Sequence, residues 1–191
     1  MHIIFLSTGG TIDKDYPHAV SGWAFDFGDE AATTRLIRDR CSFPQPSFSY
    51  EIESVCRKDS LEIINEDRED MWQAILRHVQ VARNSERERS LGFVITHGTD
   101  TLLDTARYLQ EKQSQEQKED LVRKARIVLT GAMRPERFSN SDAPINFGMA
   151  VAAVQLIAND GIAQPVVYVA MHGIVKPVND IQRNTESGQF Y

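Results

Sequence analysis

Apolar positions along the chain fall into two kinds of run. Short continuous or alternating stretches at His2–Ser7, Phe48–Cys56, Leu91–Thr96, Arg126–Thr130 and Pro165–Met171 predict β-strands. Longer amphipathic stretches lie between them. Asn65–Ala82 places Met71, Ile75, Val79 and Ala82 on one helical face, and Thr101–Lys112 does the same with Leu102, Ala106 and Leu109. Asn146–Asn159 has a long apolar face, with Pro144 near the start of that helix. Strands separated by helices predict βαβ crossovers. The expected fold is α/β, an open and mostly parallel sheet with helices on both faces, formed as a single domain over residues 1–191.

Four of the strands end in polar turns containing glycine: Thr8-Gly9-Gly10-Thr11, Thr96-His97-Gly98-Thr99, Thr130-Gly131 and His172-Gly173. Ligands of open α/β sheets bind outside the carboxyl ends of the strands, so these turns are the expected lining of a site. Two stretches do not fit the alternation. Lys14–Asp29 mixes aromatic residues with Gly, Pro and charge, and is longer than an ordinary βα loop. It is either an active-site lid or a surface excursion. Gln110–Lys124, dense in Gln, Glu and Lys, reads as a solvated helix face or an exposed insertion. No internal repeat is present.

Composition narrows the functional classes. Of 191 residues, 41% are hydrophobic and 25% charged, the balance of an ordinary globular domain. A formal charge of −6 argues against nucleic acid or an anionic membrane as partner, because both select basic surfaces. No apolar run approaches the roughly 18 residues of a membrane span. The opening residues lack the basic segment of a secretory signal. Cys41 and Cys56 form neither a CxxC pair nor a metal-ligand spacing, which sets a reduced, cytoplasmic location as the expectation.

The phosphate loop, the GxGxxG fingerprint, the GxSxG elbow and HExxH are all absent. The five histidines, at 2, 18, 78, 97 and 172, show no metal-ligand spacing, and the first three are expected to be structural or solvent-facing. Thr8-Gly9-Gly10-Thr11-Ile12 and Thr96-His97-Gly98-Thr99-Asp100-Thr101 differ from the rest. In each, a buried strand delivers Gly and then Thr. Glycine lets backbone approach a ligand, and the N–H groups beside it can bind an oxyanion. A threonine hydroxyl is a weak nucleophile until a base or relay takes its proton. Asp100 is either part of such a site or the N-cap of the following helix.

These two segments resemble the paired signatures of the bacterial-type L-asparaginase family. Asp59-Ser60-Leu61-Glu62, Gly131-Ala132-Met133-Arg134-Pro135 and Ser141-Asp142-Ala143-Pro144-Ile145-Asn146 agree in the family's order, and the match extends to about Asn184. The chain looks like a short form with the N-terminal, catalytic-type domain only. The resemblance implies amide hydrolysis through a covalent acyl-enzyme, with no metal and no organic cofactor. Thr11 would be the nucleophile, Tyr16 the counterpart of the loop tyrosine that activates it, and Thr99 the second essential hydroxyl. Asp100 would bind the substrate's α-ammonium group and Ser60 its α-carboxylate, between the Gly10 and Gly98 turns. Ala132 would offer its carbonyl to the leaving amide nitrogen.

Two departures qualify the likeness. As a short form, the chain is expected to do without the second domain that completes a neighbouring subunit's site in longer relatives. Arg183 also stands where the family usually has a lysine paired with the second threonine and the aspartate, and Lys176 is the nearby lysine that could replace it. Arginine stays protonated in proteins, so it can hold Asp100 but cannot act as a base. Three functions follow: an asparaginase-type amidohydrolase, a related hydrolase of another acyl amide, and an amino-acid-binding or regulatory domain that has kept the pocket without the relay. The expected partners are a small-molecule substrate and a second copy of the chain, since most soluble homo-oligomers are C₂ dimers.

Overall fold

The computed structural model describes residues 1–15, 26–40, 45–84, 90–116, 120–157 and 166–191. Among these residues the sheet has six strands: β1 (His2–Gly9), β4 (Ser49–Lys58), β5 (Leu91–Thr96), β6 (Arg126–Thr130), β7 (Val167–Met171) and β8 (Ile174–Pro177). Their spatial order is β4-β1-β5-β6-β7-β8. All pairings are parallel except the β7–β8 hairpin at the edge. A separate two-residue ladder pairs β2 (Lys14–Asp15) with β3 (Asp26–Phe27) at the base of the long excursion after Thr11.

Strand alternation sends side chains to two cores. Ile4, Leu6, Phe93, Ile95, Ile127 and Leu129 pack against α2 (Asn65–Arg83) and α3 (Leu102–Gln115). Ile3, Phe5, Val94 and Val128 pack on the other face against α1 (Ala32–Arg40) and α5 (Ala143–Leu156). Both faces of the sheet are therefore covered, as expected, and the central strands read as unbroken apolar runs because neither face meets water. The short α4 (Asp120–Lys124) lies within the Gln110–Lys124 stretch, and the buried Gln113 amide ties α3 to it through the Val122 and Ala125 carbonyls.

Topology locates the crevice. The chain runs from β1 outward to β4 and returns across β1 to β5, so the strand order reverses between β1 and β5. Ligands of doubly wound sheets bind at such a reversal. Here it lies between the Gly9-Gly10-Thr11 and Gly98-Thr99-Asp100 turns. The β8 edge strand has no counterpart in the sequence expectation, and two helices differ from it. α1 has no counterpart in it, because its inner face includes buried Thr33 and Arg35 beside Leu36 and Ile37 and so lacks a clean apolar stripe. α5 begins at Ala143, three residues before Asn146, with Pro144 inside its first turn, where a missing N–H leaves no bond unmade. No helix among the described residues is long and apolar enough to cross a membrane.

Candidate active site

The turns after β1 and β5 meet backbone to backbone. Gly10 has φ +78°, and a Cβ there would lie 2.4 Å from the Cα of Gly98. A Cβ on Gly98 would in turn lie 2.7 Å from that of Ser60. These glycines are needed because three chain segments pass too close together for any side chain. The Gly10 N–H donates to the Lys58 carbonyl at 2.9 Å, which fixes the turn on the end of β4. Thr11 follows at once, half-buried, and opens a 3₁₀ turn over Thr11–Asp13.

Ser60, Asp100 and Arg183 form a connected group beside this contact. The Ser60 hydroxyl donates to Asp100 Oδ2 at 3.1 Å, and the Thr101 hydroxyl donates to the Ser60 carbonyl at 2.6 Å. Arg183 Nη2 donates to Asp100 Oδ1 at 2.8 Å. The carboxylate is therefore shared between a hydroxyl and a guanidinium, which Arg183 offers through one nitrogen. Asp100 keeps 45% of its side chain exposed, enough for a ligand to reach it. Its capping role is set aside: Thr101 is the N-cap residue of α3, with no side-chain cap bond. Thr99 is 7% exposed, directly between Gly98 and Asp100.

His97, in the same turn, is fully buried and its pKa is pushed down to about 4, chiefly by burial. Its Nδ1 lies 2.8 Å from the Gly98 carbonyl and its Nε2 3.0 Å from the Thr105 hydroxyl. A carbonyl only accepts, so Nδ1 holds the proton and the ring is a neutral brace between the turn and α3. His2 and His78 contact carboxylates of β4, as expected of structural histidines, while His18 lies outside the described residues.

Ala132 is fully buried in a small cluster with Ile12, Ala32 and Ala143, so the turn after β6 packs on the residue next to Thr11. Asp142 holds that turn open. Its carboxylate accepts from the N–H groups of Met133 and Arg134, at 3.0 and 3.1 Å, and from the Asn146 amide at 2.9 Å. Asn146 also donates to the Gly131 carbonyl at 3.0 Å and accepts from the His172 N–H at 3.0 Å. Sequence reasoning missed both roles, though both residues stand in the matched Ser141–Asn146 segment. A cleft of about 470 Å³ opens beside Thr11, lined by Lys14, Met133, Arg134, Pro135, Phe138 and Asn140.

The fourth turn serves the site indirectly. His172 Nδ1 accepts from the N–H of Phe190, which is buried, and Phe190 bridges to Arg183. This hairpin brings Arg183 back over Asp100 across 83 residues of sequence. Lys176 stands opposite Val169 within β8, two positions below the end of β7. Of the two cations, Arg183 is the one on Asp100. Tyr16 lies outside the described residues, as does the middle of the expected lid. Among the described residues no group of three His, Cys, Asp or Glu could hold a metal ion.

Residues 2–189 match the family profile described as Asparaginase, N-terminal, which takes in every turn of this site. The chain belongs to the asparaginase family. A probable periplasmic L-asparaginase of Haemophilus influenzae is 30% identical over 186 residues, covering 96% of this chain and 46% of that protein. L-asparaginase 2 of Escherichia coli is 31% identical over 166 residues, covering 84% of this chain and 41% of that protein. The thermostable L-asparaginase of Thermococcus kodakarensis superposes with a TM-score of 0.69 at 26% identity, over 96% of this chain and 48% of that one. A probable cytoplasmic L-asparaginase of Campylobacter jejuni superposes at 0.63 and 27%, over 95% of this chain and 49% of that one. The chain spans less than half the length of the curated asparaginases it matches.

Proposed function

We propose that this chain is an amidohydrolase that converts asparagine, or a related small amide, to aspartate and ammonia through an acyl-enzyme on Thr11. The observation that supports it most is the contact between the Thr11 and Thr99 turns, closed around Ser60 and Asp100. In this reading the Thr11 hydroxyl attacks the amide carbon while its proton passes to the amide nitrogen. The C–N bond breaks and ammonia leaves. Water then cleaves the ester, releasing aspartate and restoring the hydroxyl. Asp100 receives the α-ammonium group, Ser60 the α-carboxylate, and the Ala132 carbonyl the departing nitrogen. The N–H groups beside Gly10 and Gly98 face the oxyanion. Tyr16 assists Thr11, and neither metal nor organic cofactor takes part. A cytoplasmic homodimer is the proposed working unit. The uncharged outer face of α5, with Ile145 and Leu156 exposed, supports the dimer.

The test is ammonia release from asparagine, glutamine and short aliphatic amides, read beside aspartate binding. Turnover of asparagine supports the proposal, and turnover of another amide alone moves it to that substrate. Aspartate binding with no turnover of any amide selects the second reading, an amino-acid-binding domain. The Arg183–Asp100 pair favours that reading, because an arginine cannot take a proton from Thr99.

The same pair predicts a gain of function. A lysine at 183 has a pKa that burial can lower into a useful range, so it can share a proton where arginine cannot. Arg183→Lys should raise kcat for ammonia release by about tenfold or more, within the usual worth of a general base. Lys176→Ala should leave the rate within about twofold of the wild type. A rate unchanged or lower in Arg183→Lys, with loss of activity in Lys176→Ala, would move the relay to Lys176.

A further inference from the structure

Behind Thr11 lies a buried charged cluster that the catalytic reading does not use. Asp13 is 4% exposed, and its Oδ1 accepts from the Ala32 N–H at 2.6 Å, where α1 begins. Its backbone closes two further contacts. The Asp13 N–H donates to the Gly10 carbonyl at 3.1 Å, and the Asp13 carbonyl accepts from the Gly28 N–H at 3.2 Å. One residue therefore joins the Thr11 turn, the returning end of the long excursion and the start of α1.

Charged residues of three other elements lie around this join, and Arg35 and Arg57 attract the Asp13 carboxylate. From α1, Arg35 Nε donates to Glu136 Oε2 at 2.8 Å, both side chains being under 10% exposed. Arg35 also reaches the Glu30 carbonyl, while its Nη2 is buried without a partner among the described residues. From the turn after β6, the Glu136 N–H donates to the Ile12 carbonyl at 3.1 Å. From β4, Arg57 donates to the Gly28 carbonyl. Beside the cluster, Arg137 pairs with Asp15 at 2.6 Å, and Lys14 pairs with Asp59 at 2.8 Å. Asp13, Arg35 and Glu136 are buried beneath the Thr11 turn, whereas Lys14 lines the cleft beside it.

We propose that Asp13 is a positioning residue: its buried carboxylate, bonded to the Ala32 N–H, locks the Thr11 turn to the start of α1, and so aims the Thr11 hydroxyl at the substrate. This rests on Thr11 being the nucleophile. A buried carboxylate beside two arginines is a costly way to hold a turn. Burial outweighs the attraction of Arg35 and Arg57 and pushes the Asp13 pKa up to about 6. Its folded pKa lies above the unfolded one, so its contribution to stability is fully present at low pH and is lost as pH rises through about 6. The protein therefore retains at neutral pH a charge that weakens the fold. Such groups concentrate where function requires them.

The test is Asp13→Asn, which keeps an acceptor for the Ala32 N–H and removes the charge. In the wild type, kcat for ammonia release should fall on the acid side of pH 6 as the carboxylate protonates. The D13N variant should turn over about tenfold more slowly at pH 8, with KM within about twofold, and should lack that acid limb. Its Tm at pH 8 should be higher than the wild type's. A structural filler would give the higher Tm with kcat unchanged, and that result would overturn the proposal. A readout independent of turnover separates this inference from the proposed activity. The amide resonances of Ala32 and Thr11 should move together through one titration near pH 6 in the wild type, and neither should move in Asp13→Asn. If asparagine is not a substrate, these resonances decide the matter alone, and a Thr11 amide that does not follow the titration overturns the positioning role.

Discussion

Replacing Thr11 with valine should reduce ammonia release by about 10⁴-fold or more, the scale on which removal of a covalent nucleophile acts. Valine keeps the volume and β-branching of threonine and removes only the hydroxyl. Thr11 is half-buried, and its hydroxyl has no hydrogen-bond partner among the described residues, so the change leaves no buried polar group unpaired. Its effect on stability should stay within about 1 kcal/mol. Ammonia release and thermal unfolding of the two proteins check both halves. Quenched turnover followed by intact-mass measurement should also show an acyl adduct on the wild type and none on the variant. A valine protein retaining more than about a hundredth of the rate would place the nucleophile elsewhere.

The parts of the fold legible in sequence are those specified by local pattern. Ile3–Leu6 and Phe93–Ile95 are apolar at consecutive positions because their strands are covered on both faces, and each strand runs on into a glycine turn. The five strands expected are all present, close to their expected limits, and the parallel sheet follows from the helices between them. The site turns are legible for the same reason. A strand ending in Gly-Thr has few places to go except the carboxyl edge of the sheet.

What the sequence conceals depends on contacts between distant residues. α1 carries Arg35 on its inner side, and that residue looks out of place until Glu136 arrives from 101 positions away. Asp13 reads as an ordinary loop acid, and only Ala32, Arg35 and Arg57 make it a buried one. Asp100 and Thr101 are adjacent candidates for a helix cap, and local propensity does not separate them. Ser60 and Arg183 do, because they occupy the Asp100 carboxylate from two other elements. The β8 strand is four residues long and follows directly on His172-Gly173, too short for its period to show before the fold is known.

Asp100→Ala should lower kcat/KM for asparagine by about 10²–10³-fold, the loss expected when one member of a hydrogen-bonded charge pair is removed. The carboxylate is the acceptor in the Ser60–Asp100–Arg183 group, so its removal leaves the Ser60 hydroxyl and the Arg183 guanidinium without it. It also removes the anion available to a substrate ammonium group. Arg183 is then a cation without that counter-charge at the mouth of the site, where it repels an ammonium and attracts a carboxylate. The variant should therefore lose its preference for asparagine over succinamate, the same amide without the α-amino group. The ratio of kcat/KM for the two should fall to within about threefold, and succinamate should bind more tightly than to the wild type. Because Asp100 is 45% exposed and does not cap α3, the fold should lose no more than about 1 kcal/mol, seen as a small shift in Tm. Parallel assays of the two amides decide between the roles. A variant that keeps the wild-type preference while its Tm drops would make Asp100 a structural link between the Ser60 turn and the Arg183 hairpin, with ammonium recognition assigned to another group.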